Sequence, residues 1–159
     1  TSHPMVGGHR SGVGASREEM YRGAPVWLSA TSEEAPRDAV AAFWTNVGAH
    51  PSWLDAGEHD LRMAWASHLP QVVSTHLAAV LQAAGVRRDV LGPGGRDVTR
   101  LAGSDPGMWR DILAVSPTPL PGALRELAAE LLREADRLEK GDADGFAARL
   151  EGTREWSGP

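Results

Sequence analysis

The 159-residue chain has no cysteine and a single lysine, Lys140. Without cysteine there is no disulfide, no thiolate metal site and no cysteine nucleophile. With one lysine, the positive charge is almost all arginine, whose planar guanidinium holds a carboxylate through two parallel hydrogen bonds. A formal net charge of −5 argues against nucleic acid as a partner, because phosphate contact needs clustered cations. No apolar run reaches the roughly 18 residues that a membrane-spanning helix requires. Nothing near the start has the basic-then-apolar order of a secretory signal, and a cytoplasmic protein is expected. Internal repeats and low-complexity segments are also lacking.

What is present is ordinary for a globular protein: 42% apolar and 23% charged residues. The length suits one domain with a real core, or one small domain plus part of another. Thr1 is not a start methionine, and the chain opens directly in a motif, so a piece of a longer protein is expected.

The pattern along the chain predicts a short α/β stretch to residue 54 and a helical domain over 55–159. Residues 1–23 read as glycine-rich loop with one helical turn near Arg17–Tyr21. Pro25-Val26-Trp27-Leu28 reads as a strand within 24–30. Thr31 or Ser32 is the expected cap of a helix bearing Ala39, Val40, Phe43, Trp44 and Val47, with Glu33 and Glu34 near its start and Gly48 ending it. Residues 49–54 form a second strand, giving a βαβ-like unit. Asp55 and Glu58 then make a capping box. Leu61, Trp65, His68, Val72, His76, Val80 and Ala83 follow at helical spacing, interrupted by Pro70, which removes the hydrogen bond to the Ala66 carbonyl. A charged, glycine-rich connection over 86–95 leads to short helices over 96–102 and 106–115, the second capped by Ser104 or Asp105. A stiff turn at 116–121 precedes an amphipathic helix carrying Leu124, Leu127, Leu131, Leu132, Ala135 and Leu138. Gly141 stops it, and Asp142 opens a last helix. About 100 residues of helix bury limited surface alone, so the apolar stripes suggest a dimer.

Several residues could carry chemistry. Arg96 and Arg100, four apart, share one face of a helix and repel unless an anion or carboxylate neutralises them; Asp97 and Asp105 are structural alternatives to a bound anion. His3, with a reference pKa of about 6.5, can accept a proton at neutral pH, or can be an ordinary loop residue. His59, His68 and His76 are spaced nine and eight apart, which stacks no two ligands on adjacent turns, so no metal site is expected. Ser67 beside His68 lacks the nucleophile elbow of a hydrolase. Gly92-Pro93-Gly94-Gly95 lacks the Lys-Ser/Thr of a phosphate loop. Trp44 and Trp65 read as core rather than ligand-stacking residues.

Taken together, three segments resemble the prephenate dehydrogenase family. They are His3-Pro4-Met5-Val6-Gly7, then His59-Asp60 with Ser67-His68-Leu69-Pro70-Gln71, then Arg96-Asp97-Val98-Thr99-Arg100 with Ser104-Asp105-Pro106-Gly107-Met108-Trp109. The resemblance spans roughly residues 2–115. It implies a mainly α chain: the end of a Rossmann-like nucleotide-binding domain (1–54), then a dimerisation and substrate domain (55–159) similar to the C-terminal domain of 6-phosphogluconate dehydrogenase. It also implies oxidative decarboxylation of prephenate or arogenate with NAD or NADP, in tyrosine biosynthesis, by a homodimer. His3 falls on the family's catalytic histidine and Arg100 on its substrate-carboxylate arginine. Arg96, Ser67, His68, Gln71 and Trp109 fall on or beside the substrate pocket, some of them contributed across the dimer.

Three departures stand out. Gln71 replaces a histidine common in the family, which bears on whether the substrate side chain is a keto acid or an amino acid. Gly8 and His9 replace a hydroxyl residue and an acid. No Gly-x-Gly-x-x-Gly turn follows a strand, so no cofactor-binding residue is assigned. The competing expectation is a free-standing helical dimerisation or ligand-sensing module without redox activity.

Overall fold

The computed structural model describes residues 1–6, 13–30, 32, 36–115 and 119–157. The expectations at Gly8, His9, Thr31, Glu33, Glu34 and 116–118 lie outside them. The chain is mainly helical, with one small sheet, and divides into two compact units, Thr1–Leu120 and Pro121–Pro159.

The sheet has three strands, β1 (Ser2–Pro4), β2 (Pro25–Leu28) and β3 (His50–Trp53), in that spatial order. β2 and β3 run parallel through the crossover helix α1 (Arg37–Asn46), as the βαβ pattern predicts. Val26, Leu28 and Ala49 are buried between sheet and helix, with Tyr21, Val40, Trp44 and Trp53 against them. Gly48 ends α1 at φ +85°, a left-handed conformation that costs glycine little. The helix start differs from expectation: Pro36, not Ser32, precedes the first turn and offers no side-chain cap. β1 is also unexpected. It pairs antiparallel with β2, His3 opposite Trp27, and supplies an edge that only three residues of chain provide.

Asp55 caps α2 (Ala56–Met63) by accepting from the Glu58 N–H at 2.8 Å. The capping box is only half made, because the Glu58 carboxylate pairs with Arg62 at 2.6 Å. From Ala64 to His68 the helix widens into a π turn, closed by the Leu69 N–H donating to the Ala64 carbonyl five residues back. This is how the chain absorbs Pro70, which sits in the first turn of α3 (Leu69–Ala83). The expected apolar stripe is mostly on the surface: Leu61 and Trp65 are about half exposed and Val80 two-thirds exposed, so Trp65 is not core.

The next segment corrects another expectation. In place of a helix over 96–102 there are two pieces, α4 (Pro93–Val98) and a 3-10 turn over Arg100–Gly103. Thr99 breaks between them, its hydroxyl turned back onto the Gly95 carbonyl at 2.7 Å. The glycine-rich connection therefore ends earlier than expected, at Gly92. Asp105 caps α5 (Pro106–Val115), accepting from the Met108 N–H at 2.7 Å.

In the second unit, α6 (Pro119–Glu139) ends at Gly141, φ +74°, and α7 (Ala143–Ser157) is capped by Asp142. The prolines expected in a stiff turn, Pro119 and Pro121, lie in the first turn of α6, where a missing N–H costs nothing. Arg149 and Glu130 join the two helices at 3.1 Å. Leu131, Leu132, Leu138, Phe146 and Leu150 stay exposed in the single chain.

Candidate active site

The first unit contains an open cleft of about 380 Å³. β1 brings His3 to it, the π turn brings Ala66 and Ser67, and α3 brings Pro70 and Gln71. The 3-10 turn adds Arg100 and Leu101, and α5 adds Met108 and Trp109, with Ser104 between them. The wide turn thus falls where the wall of the cleft needs it, as π bulges often do at functional sites. No aspartate or glutamate is among the residues lining the cleft, while Arg100 is. In a chain of net charge −5 this is a local excess of positive potential, suited to an anion.

His3 is held from two sides. Backbone pairing with β2 fixes its strand, and its Nδ1 lies 2.9 Å from His59 Nε2 on α2. His59 Nδ1 in turn lies 3.0 Å from Asp60 Oδ1. Trp27 stands edge-on to both imidazoles, at 6.4 Å from His3 and 5.9 Å from His59. Burial lowers the His3 pKa from its ordinary value, and the charge of His59 lowers it further. A lowered pKa keeps His3 neutral, and so able to accept a proton, at pH 7.

Gln71 is 7% exposed, and its amide is engaged on both ends. The amide nitrogen donates to the Leu101 carbonyl at 2.8 Å, and the oxygen accepts from the Ser104 hydroxyl at 3.1 Å. Gln71 therefore tethers the turn that carries Arg100. Trp109 lines the cleft with its indole N–H buried and, among the described residues, without a hydrogen-bond partner.

Two expected site residues sit elsewhere. His68 is buried behind Trp109, ring edge to face at 5.8 Å, and does not line the cleft. Its pKa is lowered, first by burial and then by the charge of His3, with Asp60 opposing. Arg96 stands apart from the cleft and donates to the Asp89 carbonyl at 3.2 Å. The break at Thr99 removes the shared helical face that would have set Arg96 beside Arg100. Sequence reasoning gave no role to His59, Asp60 or Ser104. His59 is 56 residues from its partner His3, and the His-Asp dipeptide was its only signal.

A second cavity, of about 560 Å³, lies between the end of α3 and the 3-10 turn. Apolar side chains such as Leu81, Val86 and Leu91 dominate it, and it holds no histidine or carboxylate.

The family model described as prephenate dehydrogenase, dimerization domain, matches residues 55–152, and that described as prephenate dehydrogenase, nucleotide-binding domain, matches residues 1–52. The chain is 30% identical over 153 residues to a cyclohexadienyl dehydrogenase of Zymomonas mobilis, covering 89% of this chain and 51% of that protein. It is 31% identical over 153 residues to a prephenate dehydrogenase of Bacillus subtilis, covering 91% of this chain and 40% of that protein. It thus spans about half the length, or less, of these curated relatives. Among solved structures, a prephenate dehydrogenase of Aquifex aeolicus in complex with hydroxyphenyl propionate and NAD+ superposes with a TM-score of 0.83 at 26% identity, covering 98% of this chain and 57% of that one. An arogenate dehydrogenase of Synechocystis shares the fold, with a TM-score of 0.75 at 22% identity over 97% of this chain and 58% of that one.

Proposed function

Because the chain belongs to the prephenate dehydrogenase family, we propose that its cleft is the substrate side of an NAD(P)-linked oxidative decarboxylation of prephenate or arogenate, in tyrosine biosynthesis. His3 accepts the proton of the ring hydroxyl. The nicotinamide, when bound, takes the hydride from the same carbon. The ketone so formed is conjugated to the carbon bearing the ring carboxylate, and loss of carbon dioxide makes the ring aromatic. Prephenate then yields 4-hydroxyphenylpyruvate, and arogenate yields tyrosine. Arg100 grips a substrate carboxylate by a two-pronged hydrogen bond. Ser67, Ser104 and the Trp109 N–H are the uncharged groups that orient the rest of the ligand. Gln71 and His68 support them from behind.

The observation that carries this reading is that a neutral histidine and an arginine share one cleft whose lining has no carboxylate. These 159 residues hold no glycine turn after a strand to bind a pyrophosphate, so no residue here is assigned to the cofactor and no further step is routed through it. Residues 1–54 act as the closing part of a nucleotide-binding domain, and 55–159 act in dimerisation and substrate binding. The leucines left exposed on α6 fit a homodimer, and a cytoplasmic site of action fits a biosynthetic enzyme.

The test is reduction of NAD or NADP by the complete natural protein with prephenate and with arogenate. Arg100→Ala should raise KM with a smaller effect on kcat. His3→Asn should lower kcat by about 10²- to 10⁴-fold, the usual contribution of a general base. Turnover within threefold of wild type in His3→Asn would remove His3 from the chemistry. Ligand binding with no cofactor reduction would make the protein a sensing module instead.

A further inference from the structure

We propose that His59 and Asp60 form a relay behind His3, fixing which of its ring nitrogens faces the cleft and drawing the abstracted proton's charge toward solvent. This deepens, and rests on, the reading of His3 as the base.

The chain of donors follows from what each atom can do. The Asp60 carboxylate only accepts, so at 3.0 Å from it His59 carries its proton on Nδ1. In the neutral ring, His59 Nε2 is then a lone pair. His3 Nδ1, 2.9 Å away, must donate to it. The lone pair left on His3 is Nε2, which is therefore the atom that accepts the substrate proton. Without the relay the His3 proton could sit on either nitrogen, and the Nε2–H form is useless as a base.

The same contacts accommodate the charge that forms. As the substrate O–H bond breaks, a His3 Nε2–H bond forms and the ring becomes a cation. The His3 Nδ1–H bond can then break as a His59 Nε2–H bond forms across the 2.9 Å contact. His3 is again neutral, and the positive charge rests on His59, paired with Asp60. No atom or electron is left over. The His59 side chain is 23% exposed and that of Asp60 59% exposed, so the charge ends at the solvent edge of α2. The other carboxylate of this helix, Glu58, is held by Arg62. Of the remaining groups near His3, Trp27 is neutral and apolar, and His68 bears on it only when charged.

His59 and Asp60 are thus positioning residues, and a purely structural tether between β1 and α2 is the alternative to exclude. Long-range ¹H–¹⁵N correlation spectra of the complete protein, labelled in histidine, read the tautomer without turnover. The wild type should show His3 protonated at Nδ1. Asp60→Asn can donate to His59 Nδ1, which inverts the chain and should turn His3 into the Nε2–H tautomer. Its kcat should fall by about 10- to 100-fold with KM within twofold, a smaller loss than removal of the base itself. His59→Leu should lose turnover to a similar extent. An Nε2–H His3 in the wild type, or an Asp60→Asn variant with kcat within twofold, overturns the relay. His3→Asn separates this from the parent reading: if that variant keeps its turnover, the base assignment fails, while the tautomer spectra still decide the hydrogen-bond chain.

Discussion

Truncating Gln71 to alanine should loosen the cleft and the fold together. The side chain is nearly buried and makes two well-formed hydrogen bonds across the cleft wall, to the Leu101 carbonyl at 2.8 Å and from the Ser104 hydroxyl at 3.1 Å. A buried group stripped of its partner costs about 1–3 kcal/mol. Leu101 and Ser104 are only partly buried, so each belongs at the low end of that range. The methylene groups removed with the amide add about 0.8 kcal/mol each when fully buried. The sum is about 2–4 kcal/mol in unfolding free energy, measured from urea transitions with an unchanged slope. Because the tethered turn carries Arg100, affinity for an anionic ring ligand should also fall. Gln71→Glu should do worse on both counts, since a carboxylate cannot donate to Leu101 and would repel the ligand. A stability loss below about 0.5 kcal/mol in Gln71→Ala, with ligand affinity unchanged, would refute the tether.

Two further outcomes follow from the histidines. With the His3 pKa lowered by burial and by His59, kcat/KM should hold down through pH 6.5 and fall only at lower pH, as the base becomes protonated; a pH–rate profile with its acidic midpoint above 6.5 would contradict this. For stability, His3 and His68 both bind protons less readily folded than unfolded. Between their lowered folded values and the unfolded value near 6.5, the unfolded state holds more protons, so unfolding free energy rises with pH through that window. The stabilisation is complete above it and lost as the pH falls. Urea midpoints at successive pH values should show the rise, and His68→Asn should flatten it; a flat wild-type curve would remove the effect.

Features set by neighbouring residues were readable from the chain. The Asp55, Asp105 and Asp142 caps, the Gly48 and Gly141 stops and the β2–α1–β3 unit each depend on a few consecutive side chains or on one period. What was not readable is non-local. β1 exists only because β2 offers an edge to Ser2–Pro4, and nothing in those three residues alternates. Pro70 announced an interruption, but whether the helix would kink or widen depended on the packing around Ala64–His68. The split at Thr99 came from a hydroxyl that competes for a backbone carbonyl, a bond that helical spacing does not reveal. The surface position of Trp65, read as core, shows that a helical stripe marks a contact face without saying what covers it. In the site, His3 and Arg100 were legible through motifs. His59 became legible only when the fold closed 56 residues of sequence into one hydrogen bond.

The central claim is that an imidazole and a guanidinium act on one bound ring acid. Titrating the complete natural protein calorimetrically with hydroxyphenyl propionate, a ligand seen in the Aquifex aeolicus relative, tests it most directly. Binding is expected in the wild type, weakened by about 10- to 100-fold in Arg100→Ala, equivalent to about 1.4–2.8 kcal/mol. A smaller loss is expected in His3→Asn, which leaves the carboxylate grip intact. Equal affinity in wild type and Arg100→Ala would contradict the account.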